Sequence, residues 1–260
     1  MEFIDRLLPN GSNMTYAWFE AMHTRMDIVL WDHEVSDTVF HSICRSIREE
    51  AVRIELMASC FLTESEVSGI NSSPVGEKVK LSEEMFSILE RCIIYNRSTD
   101  GMFDIAVSAG KKGVSLEDKI CLDKDTLSAS RLAEDIRLNL SGFLKGYALD
   151  KAVSIIRNAD VDNALVSFGN SSVYAIGNHP GGNGWPVATE DGEEYVLMNE
   201  CLTTSGNSRE DRKHIINPLT GEYVEGRSMT SVITATAEEG EVMSTTSFLK
   251  KNTTTNNPNI

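Results

Sequence analysis

Apolar and polar positions follow two rhythms along this chain. Residues 26–31, Met-Asp-Ile-Val-Leu-Trp, are apolar and β-prone and are closed by Asp32-His33-Glu34, which predicts a strand. From 37 to 61 the apolar residues Val39, Ile43, Ile47, Ala51, Ile54, Ala58 and Phe61 recur in steps of three and four. That spacing marks one face of a helix, with Asp37 as its N-cap. A polar loop over 63–71 follows. A second helix is predicted over 82–97, capped by Ser82, with Met85, Ile88, Leu89, Cys92 and Ile93 inward. After a polar turn at 98–101 comes a short apolar patch at 102–107, and then a polar stretch, 108–130, without a readable period. Residues 135–140 predict a strand. The pair Ser141-Gly142 turns into a helix running to about Asn158, with Ala148, Ala152, Ile155 and Ile156 on one face. Short β-prone runs at 163–168, 172–176, 185–189 and 194–198, separated by Gly and Asn, predict hairpins. A strand over 228–237 and a helix over 238–250 complete the pattern. The polar, low-complexity residues 251–260 are expected to be a disordered tail. Helices early and hairpins late give an α+β fold, with helices packed on antiparallel sheets.

Composition narrows the function. The 260 residues are 41% hydrophobic and 24% charged, enough apolar material for one large domain or two packed lobes. With 24 Lys and Arg against 39 Asp and Glu, the net charge is −15, the wrong sign for gripping nucleic-acid phosphates or an anionic membrane surface. A phosphate-bearing ligand would need backbone amides, a few placed cations or a divalent metal. The five cysteines, Cys44, Cys60, Cys92, Cys121 and Cys201, are odd in number and widely spaced, with no C-x-x-C. They read as buried free thiols in a reducing compartment. No run approaches the roughly 18 apolar residues of a membrane span. The opening residues are too short and too charged for a signal peptide, so the chain as written is expected to be cytoplasmic. A removed export signal would make it periplasmic or membrane-anchored.

Four segments carry candidate chemistry. Asn139 to Asp150 reads as strand, small-residue turn and helix start, where free backbone N–H groups and Lys145 attract phosphate. It lacks the Walker spacing, and an ordinary strand-to-helix turn explains it equally. Thr203-Thr-Ser-Gly-Asn-Ser-Arg209 offers hydroxyls and a cation for an anion, or is simply a polar hairpin loop. In His214-Ile-Ile-Asn-Pro-Leu-Thr-Gly221 the histidine suits a proton carrier, although a lone His is more often structural. Finally, Glu241 and Thr245 stand four apart on a predicted helix, a carboxylate and a hydroxyl on one face, which suits Mg²⁺. A solvated acidic helix start is the alternative there.

Taken in order, these segments resemble the ApbE family of FAD:protein FMN transferases over roughly residues 20–249. Met22-His-Thr24 is similar to the family's Met-Gly-Thr, and Phe61 to Asn71 to its Tyr-x-x-x-Ser-x-x-x-x-x-Asn. Thr99-Asp-Gly-Met-Phe-Asp104 matches Thr-Asp-Gly-x-Phe-Asp. Asn139 to Asp150 resembles Asp-Leu-Gly-Gly-x-x-Lys-Gly-Tyr-Ala-x-Asp, and Thr204-Ser-Gly206 with 214–221 resembles Thr-Ser-Gly and His-Ile-Ile-Asp-Pro-x-Thr-Gly. The resemblance implies a T-fold-like architecture, divided as an N-terminal extension over 1–19, the flavin transferase domain over 20–250 and the tail over 251–260. It also implies Mg²⁺-dependent transfer of FMN from FAD to a Thr or Ser hydroxyl of a partner flavoprotein, with release of AMP. Any membrane association would come only through that acceptor.

By the same resemblance, the metal would be held by the carbonyl of Gly142 with Glu241, Ser244 and Thr245. FAD would touch Met22, Phe61, Met102, Phe103, Asp104, Asn139, Lys145 and Ile215, with Phe61 stacked on a ring. His214 would deprotonate the acceptor or orient the phosphate. The chain departs from the pattern at Glu241 and Asn139, each where the family has Asp, at Ser141 in place of Gly, and at Asn217 before Pro218. Two other readings are compatible with the residues: a non-catalytic FAD-binding protein, and a Mg²⁺-dependent pyrophosphatase giving FMN and AMP.

Overall fold

The computed structural model describes residues 1–108, 110, 113, 115–207 and 214–255. The fold is α+β. Its strands are β1 (Glu2–Leu7), β2 (Asn13–Ala21), β3 (Thr24–Asp32), β4 (Val79–Lys80), β5 (Ile120–Asp123), β6 (Ser128–Arg131), β7 (Asn163–Phe168), β8 (Ser172–Ile176), β9 (Trp185–Ala188), β10 (Glu194–Leu197), β11 (Glu200–Asn207) and β12 (Ser228–Thr234). Its α-helices are α1 (Asp37–Ala58), α2 (Glu66–Ser72), α3 (Glu83–Ser98), α4 (Ser141–Asn158) and α5 (Ala237–Thr255), with a 3-10 turn at Leu116–Asp118. Seven strands form one sheet in the order β1-β2-β3-β7-β8-β11-β12, antiparallel from β1 to β11. β9 and β10 form a hairpin, and β4-β6-β5 a small antiparallel sheet.

The chain divides into two compact units. The first comprises Met1–Glu55, Phe143–Ser205 and Ser231–Ser244; the second comprises Leu56–Gly142, Gly206–Thr230 and the chain from Thr245 on.

In the first unit, period-2 burial organises the sheet: Thr15, Ala17, Phe19 and Ala21 on β2, Met26, Ile28 and Leu30 on β3, and Ala164, Val166 and Phe168 on β7 are all buried. The β9–β10 hairpin brings Trp185 and Leu197 against Trp31, Ala175 and Leu202. Both indole N–H groups are satisfied there: Trp185 donates to the Ile176 carbonyl at 2.9 Å and Trp31 to the Asn178 carbonyl at 2.7 Å. In the second unit, α3 buries Met85, Phe86, Ile88, Leu89 and Cys92, and Ser82 caps it by accepting the Met85 N–H.

Several predicted elements change. Residues 2–7 and 13–21, where the sequence predicts no element, form β1 and β2 of the main sheet. β2 was unreadable because Tyr16 and Trp18 alternate with its buried residues and blur the polar phase. On α1 the buried register starts at Phe40, not Val39, which is 45% exposed, and the helix ends at Ala58, so Phe61 leaves that face and is 65% exposed. The loop at 63–71 contains α2, capped by Ser65. No strand forms over 135–140. Instead the Asn71 side chain pairs with both backbone groups of Leu138, at 2.9 and 2.7 Å, and the Asn139 N–H donates to the Ile105 carbonyl. A side chain and a loop satisfy this segment where a neighbouring strand was expected. Finally, α5 runs to Thr255 rather than stopping at 250. Thr253 donates back to the Leu249 carbonyl and accepts from Asn217 Nδ2, which shortens the expected tail. Residues 256–260 lie outside the described residues, as do Ser208 and Arg209 of the hydroxyl-rich segment.

Candidate active site

In the first unit, two tight turns and two helices converge. β2 and β3 are joined by Met22 and His23, both in the left-handed region with φ of +53° and +58°. A two-residue hairpin of this kind requires positive φ at both positions. The Met22 N–H is held by a Glu55 carboxylate oxygen at 2.9 Å. Beside this turn, Gly169 (φ +71°) donates to the Arg25 carbonyl, and a Cβ there would lie 2.9 Å from Thr24 Oγ1, so the β7–β8 connection demands glycine.

That connection delivers Ser171 and Ser172. The Ser171 carbonyl accepts the Thr204 N–H, and Ser172 pairs in register with Thr203. Ser171 Oγ accepts from Lys145 Nζ at 2.7 Å, and the buried Ser172 hydroxyl donates to Glu241 Oε1 at 2.6 Å. Lys145 Nζ lies 3.7 Å from the same carboxylate oxygen. Glu241 itself is 4% exposed. One turn on, the buried Ser244 hydroxyl shares a 2.8 Å hydrogen bond with Ser205 Oγ on β11.

Helix α5 reaches this position because two glycines let it approach closely. A Cβ on Gly146 of α4 would fall 2.4 Å from the Ala237 carbonyl oxygen, and one on Gly240 would fall 2.3 Å from Thr203 Oγ1. The Asp150 carboxylate accepts the Ala237 and Glu238 N–H groups at 2.8 and 2.9 Å, which anchors the N-terminus of α5.

The second unit holds the remaining expected residues. Asn96, buried on α3, donates to the Phe103 carbonyl and accepts from Leu116 N–H, and Thr99 Oγ1 accepts the Phe103 N–H. The turn between them needs Asp100 and Gly101 at φ of +53° and +79°. Asp104 accepts the Ala106 N–H and forms a buried ion pair with Lys119, their side chains being 1% and 7% exposed. Phe103 is buried edge-on against Tyr95. Met102 joins Val224, Phe248 and Leu249 in a buried cluster on which Ile215 packs. His214 is exposed. At the start of α4, Asn139, Ser141 and Gly142 are exposed, Asn139 Oδ1 accepts the Ser141 N–H, and the space around Gly142 is open.

The structure thus places Met22, Lys145, Glu241 and Ser244 in the first unit. It places Phe61, Met102, Phe103, Asp104, Asn139, Gly142, His214, Ile215 and Thr245 in the second. Ser205 belongs to the hydroxyl-rich segment that the sequence marks, whereas Ser171, Ser172, Glu55 and Lys119 carry no such mark in the sequence. Gly169-Asn170 flagged the turn that carries the serines, but nothing local revealed that their partners lie 26 and 69 residues away. Lys119 fell in the stretch without a period.

Among the described residues there is no group of three or more His, Cys, Asp or Glu able to hold a metal. Glu241 and Ser244 offer a carboxylate and a hydroxyl, hard oxygen donors whose chemistry fits Mg²⁺ rather than a nitrogen- or sulfur-loving ion.

Residues 22–256 match the ApbE family. The chain is similar to the FAD:protein FMN transferase of Chlamydia muridarum (strain MoPn / Nigg), 30% identical over 193 residues, which are 63% of this chain and 60% of that protein. It is also similar to the FAD:protein FMN transferase of Haemophilus influenzae, 24% identical over 234 residues, 74% of this chain and 67% of that one. The chain therefore spans about three fifths of the length of the chlamydial relative. Among solved structures, the ApbE protein of Thermotoga maritima aligns with a TM-score of 0.78 at 22% identity, over 91% of this chain and 87% of that one. The flavin transferase ApbE of Vibrio cholerae aligns with a TM-score of 0.75 at 17% identity, over 90% and 86%. A match over this much of the chain, on the same fold, shows that the chain belongs to the ApbE family.

Proposed function

We propose that this chain transfers FMN from FAD to a Thr or Ser hydroxyl of a partner flavoprotein, with Mg²⁺ as the required cation. Family membership over residues 22–256 carries the reading. The acceptor hydroxyl oxygen bonds to the phosphorus on the FMN side of the pyrophosphate. The bond from that phosphorus to the bridging oxygen breaks, and AMP leaves with the bridging oxygen. The hydroxyl proton passes to a base, the role assigned to His214. Such a reaction depends on positioning and on neutralising phosphate charge. Bound Mg²⁺ supplies that neutralisation, which an enzyme of net charge −15 otherwise lacks.

In this reading Glu241 and Ser244 hold the cation. Thr245 and the Gly142 carbonyl are assigned on the resemblance, and Thr245 lies one turn after Glu241 on α5. Gly142 stands in open space at the start of an 18-residue helix, where backbone N–H groups favour phosphate. Phe61, 65% exposed, offers a flat ring for stacking. Met22, Met102, Phe103, Asp104, Asn139, Lys145 and Ile215 complete the assigned FAD contacts. For the largely buried Phe103 and Asp104 the support is the surrounding loop they hold in shape. No helix among the described residues is long and apolar enough to cross a membrane. All five cysteines are free thiols, which suits a reducing compartment; Cys44, Cys92 and Cys201 are buried as expected, whereas Cys60 is half-buried and Cys121 exposed.

The test is AMP release from FAD, with and without Mg²⁺ and a Thr-bearing acceptor flavoprotein, in wild type and His214→Ala. Mg²⁺-dependent AMP matched by covalent flavin on the acceptor is expected. AMP without labelling identifies a pyrophosphatase, and FAD binding without AMP a binding protein. Full transfer by His214→Ala removes the proposed base.

A further inference from the structure

Glu241 poses a problem that its surroundings answer. The family's metal carboxylate is usually Asp, so this side chain has one more methylene and one more rotatable bond. Ordering a long flexible side chain such as Glu costs rotamer entropy, and a loose carboxylate serves Mg²⁺ poorly because that ion demands near-ideal octahedral geometry. Here the side chain is constrained along its length. Its Cγ lies where a Cβ on Gly146 would approach within 2.7 Å, so α4 flanks the stem. At its tip, Oε1 accepts the Ser172 hydroxyl at 2.6 Å and faces Lys145 Nζ at 3.7 Å. Lys145 is in turn anchored to Ser171 at 2.7 Å, and Ser171 is fixed to β11 through the Thr204 N–H. Ser172 is fully buried and locked in register with Thr203. The Ser172–Glu241 contact is buried, and the Lys145–Ser171 contact beside it is half-buried.

We infer that Ser172, with Lys145 behind it, is a positioning residue that locks the longer Glu241 side chain into the one rotamer the cation site requires. This rests on the proposed cation site above. Groups that orient a metal ligand typically change metal affinity by 10–100-fold when removed. Because Ser172 acts through Glu241 and not on the flavin, its loss is expected to weaken cation binding and leave the cation-saturated rate nearly intact.

The experiment measures Mn²⁺ binding to the full chain by electron paramagnetic resonance, and the Mg²⁺ concentration giving half-maximal AMP release. Wild type, Ser172→Ala, Ser172→Thr and Glu241→Asp are compared, each with its metal-free melting curve. Ser172→Ala should bind Mn²⁺ about 10-fold more weakly and need correspondingly more Mg²⁺, yet recover at least half the wild-type rate at saturation. Ser172→Thr keeps the hydroxyl and should bind within about threefold of wild type if the role is positional. Glu241→Asp should also lose affinity, since the shorter carboxylate falls away from Ser172 and Lys145. Should Ser172→Ala melt early, Ser172→Thr against Glu241→Asp still decides. Equal Mn²⁺ affinity in wild type and Ser172→Ala, or tighter binding by Glu241→Asp, overturns the inference while leaving the cation site standing. No Mn²⁺ binding by wild type, with or without FAD, overturns the cation site itself.

Discussion

Glycine at 146 is where the packing of α4 on α5 is most sharply testable. An alanine Cβ there would sit 2.4 Å from the Ala237 carbonyl oxygen, and 2.7 Å from both the Ala237 carbonyl carbon and Glu241 Cγ. An ordinary carbon–oxygen contact is about 3.3 Å, so the shortfall is roughly 0.9 Å. Two of the three obstacles are backbone atoms, and Ala237 is pinned by Asp150, so no rotamer change relieves the clash. Overpacking of this kind costs about 1–3 kcal/mol, and a backbone clash belongs at the upper end. Against it stands the helix-propensity gain of alanine over glycine, about 1 kcal/mol. The net expectation for Gly146→Ala is a loss of about 2 kcal/mol. With a urea slope of about 2 kcal/mol per molar, the midpoint falls by roughly 1 M. Gly142→Ala on the same helix is the control: nothing lies within 4 Å of its Cβ, so the fold should be unchanged or slightly stabilised. If Gly146→Ala unfolds at or above the wild-type midpoint, the two helices do not approach as described, and the account of how Glu241 is placed fails with them.

Four further outcomes follow from the structure. Burial pushes the Cys44 and Cys201 thiols up to about 12, so in the native protein an aromatic disulfide reagent should label exposed Cys121 first and these two only on unfolding. Since their folded values lie above the unfolded value near 9, stability should hold below pH 9 and decline from there toward pH 12, read as a falling urea midpoint; an unchanged midpoint to pH 11 would contradict their burial. Lys119→Met strands the buried Asp104 carboxylate and should cost about 3–5 kcal/mol by urea denaturation, with much of the loss restored by adding Asp104→Asn. His23 holds a left-handed conformation (φ +58°) that glycine adopts without strain, so His23→Gly should stabilise the protein by about 1 kcal/mol, read as a higher urea midpoint; a lower midpoint would contradict backbone strain as the dominant effect at this turn.

Much of the architecture was readable because its signals are local. The periodicity of α1, the Ser82 cap of α3 and the Gly and Asn turns between β7 and β11 each reside within a few residues. The failures are equally physical. β1 is an edge strand whose residues are mostly exposed, so no buried phase marks it. The segment before α4 forms no strand because the side chain of Asn71, 67 residues earlier, satisfies both backbone groups of Leu138. α5 persists beyond 250 because Thr253 gains a partner in Asn217, where an Asp would have lacked the amide donor. At the candidate site, the ordered motifs pointed to Glu241, Ser244 and Lys145, but not to what constrains them. Ser171 and Ser172 look like ordinary hairpin residues, and their importance arises only when register places them opposite α4 and α5.

The most direct test of the central claim is intact-mass analysis of a Thr-bearing acceptor flavoprotein after incubation with this protein, FAD and Mg²⁺, beside a Glu241→Gln control. The account predicts that the acceptor gains one FMN less one water, with one AMP released per acceptor modified. It also predicts that the gain disappears without Mg²⁺ and falls at least 100-fold with Glu241→Gln, on the order expected for losing a charge-stabilising group. An unmodified acceptor under conditions where FAD is bound, or labelling that persists without Mg²⁺ and in Glu241→Gln, would contradict it.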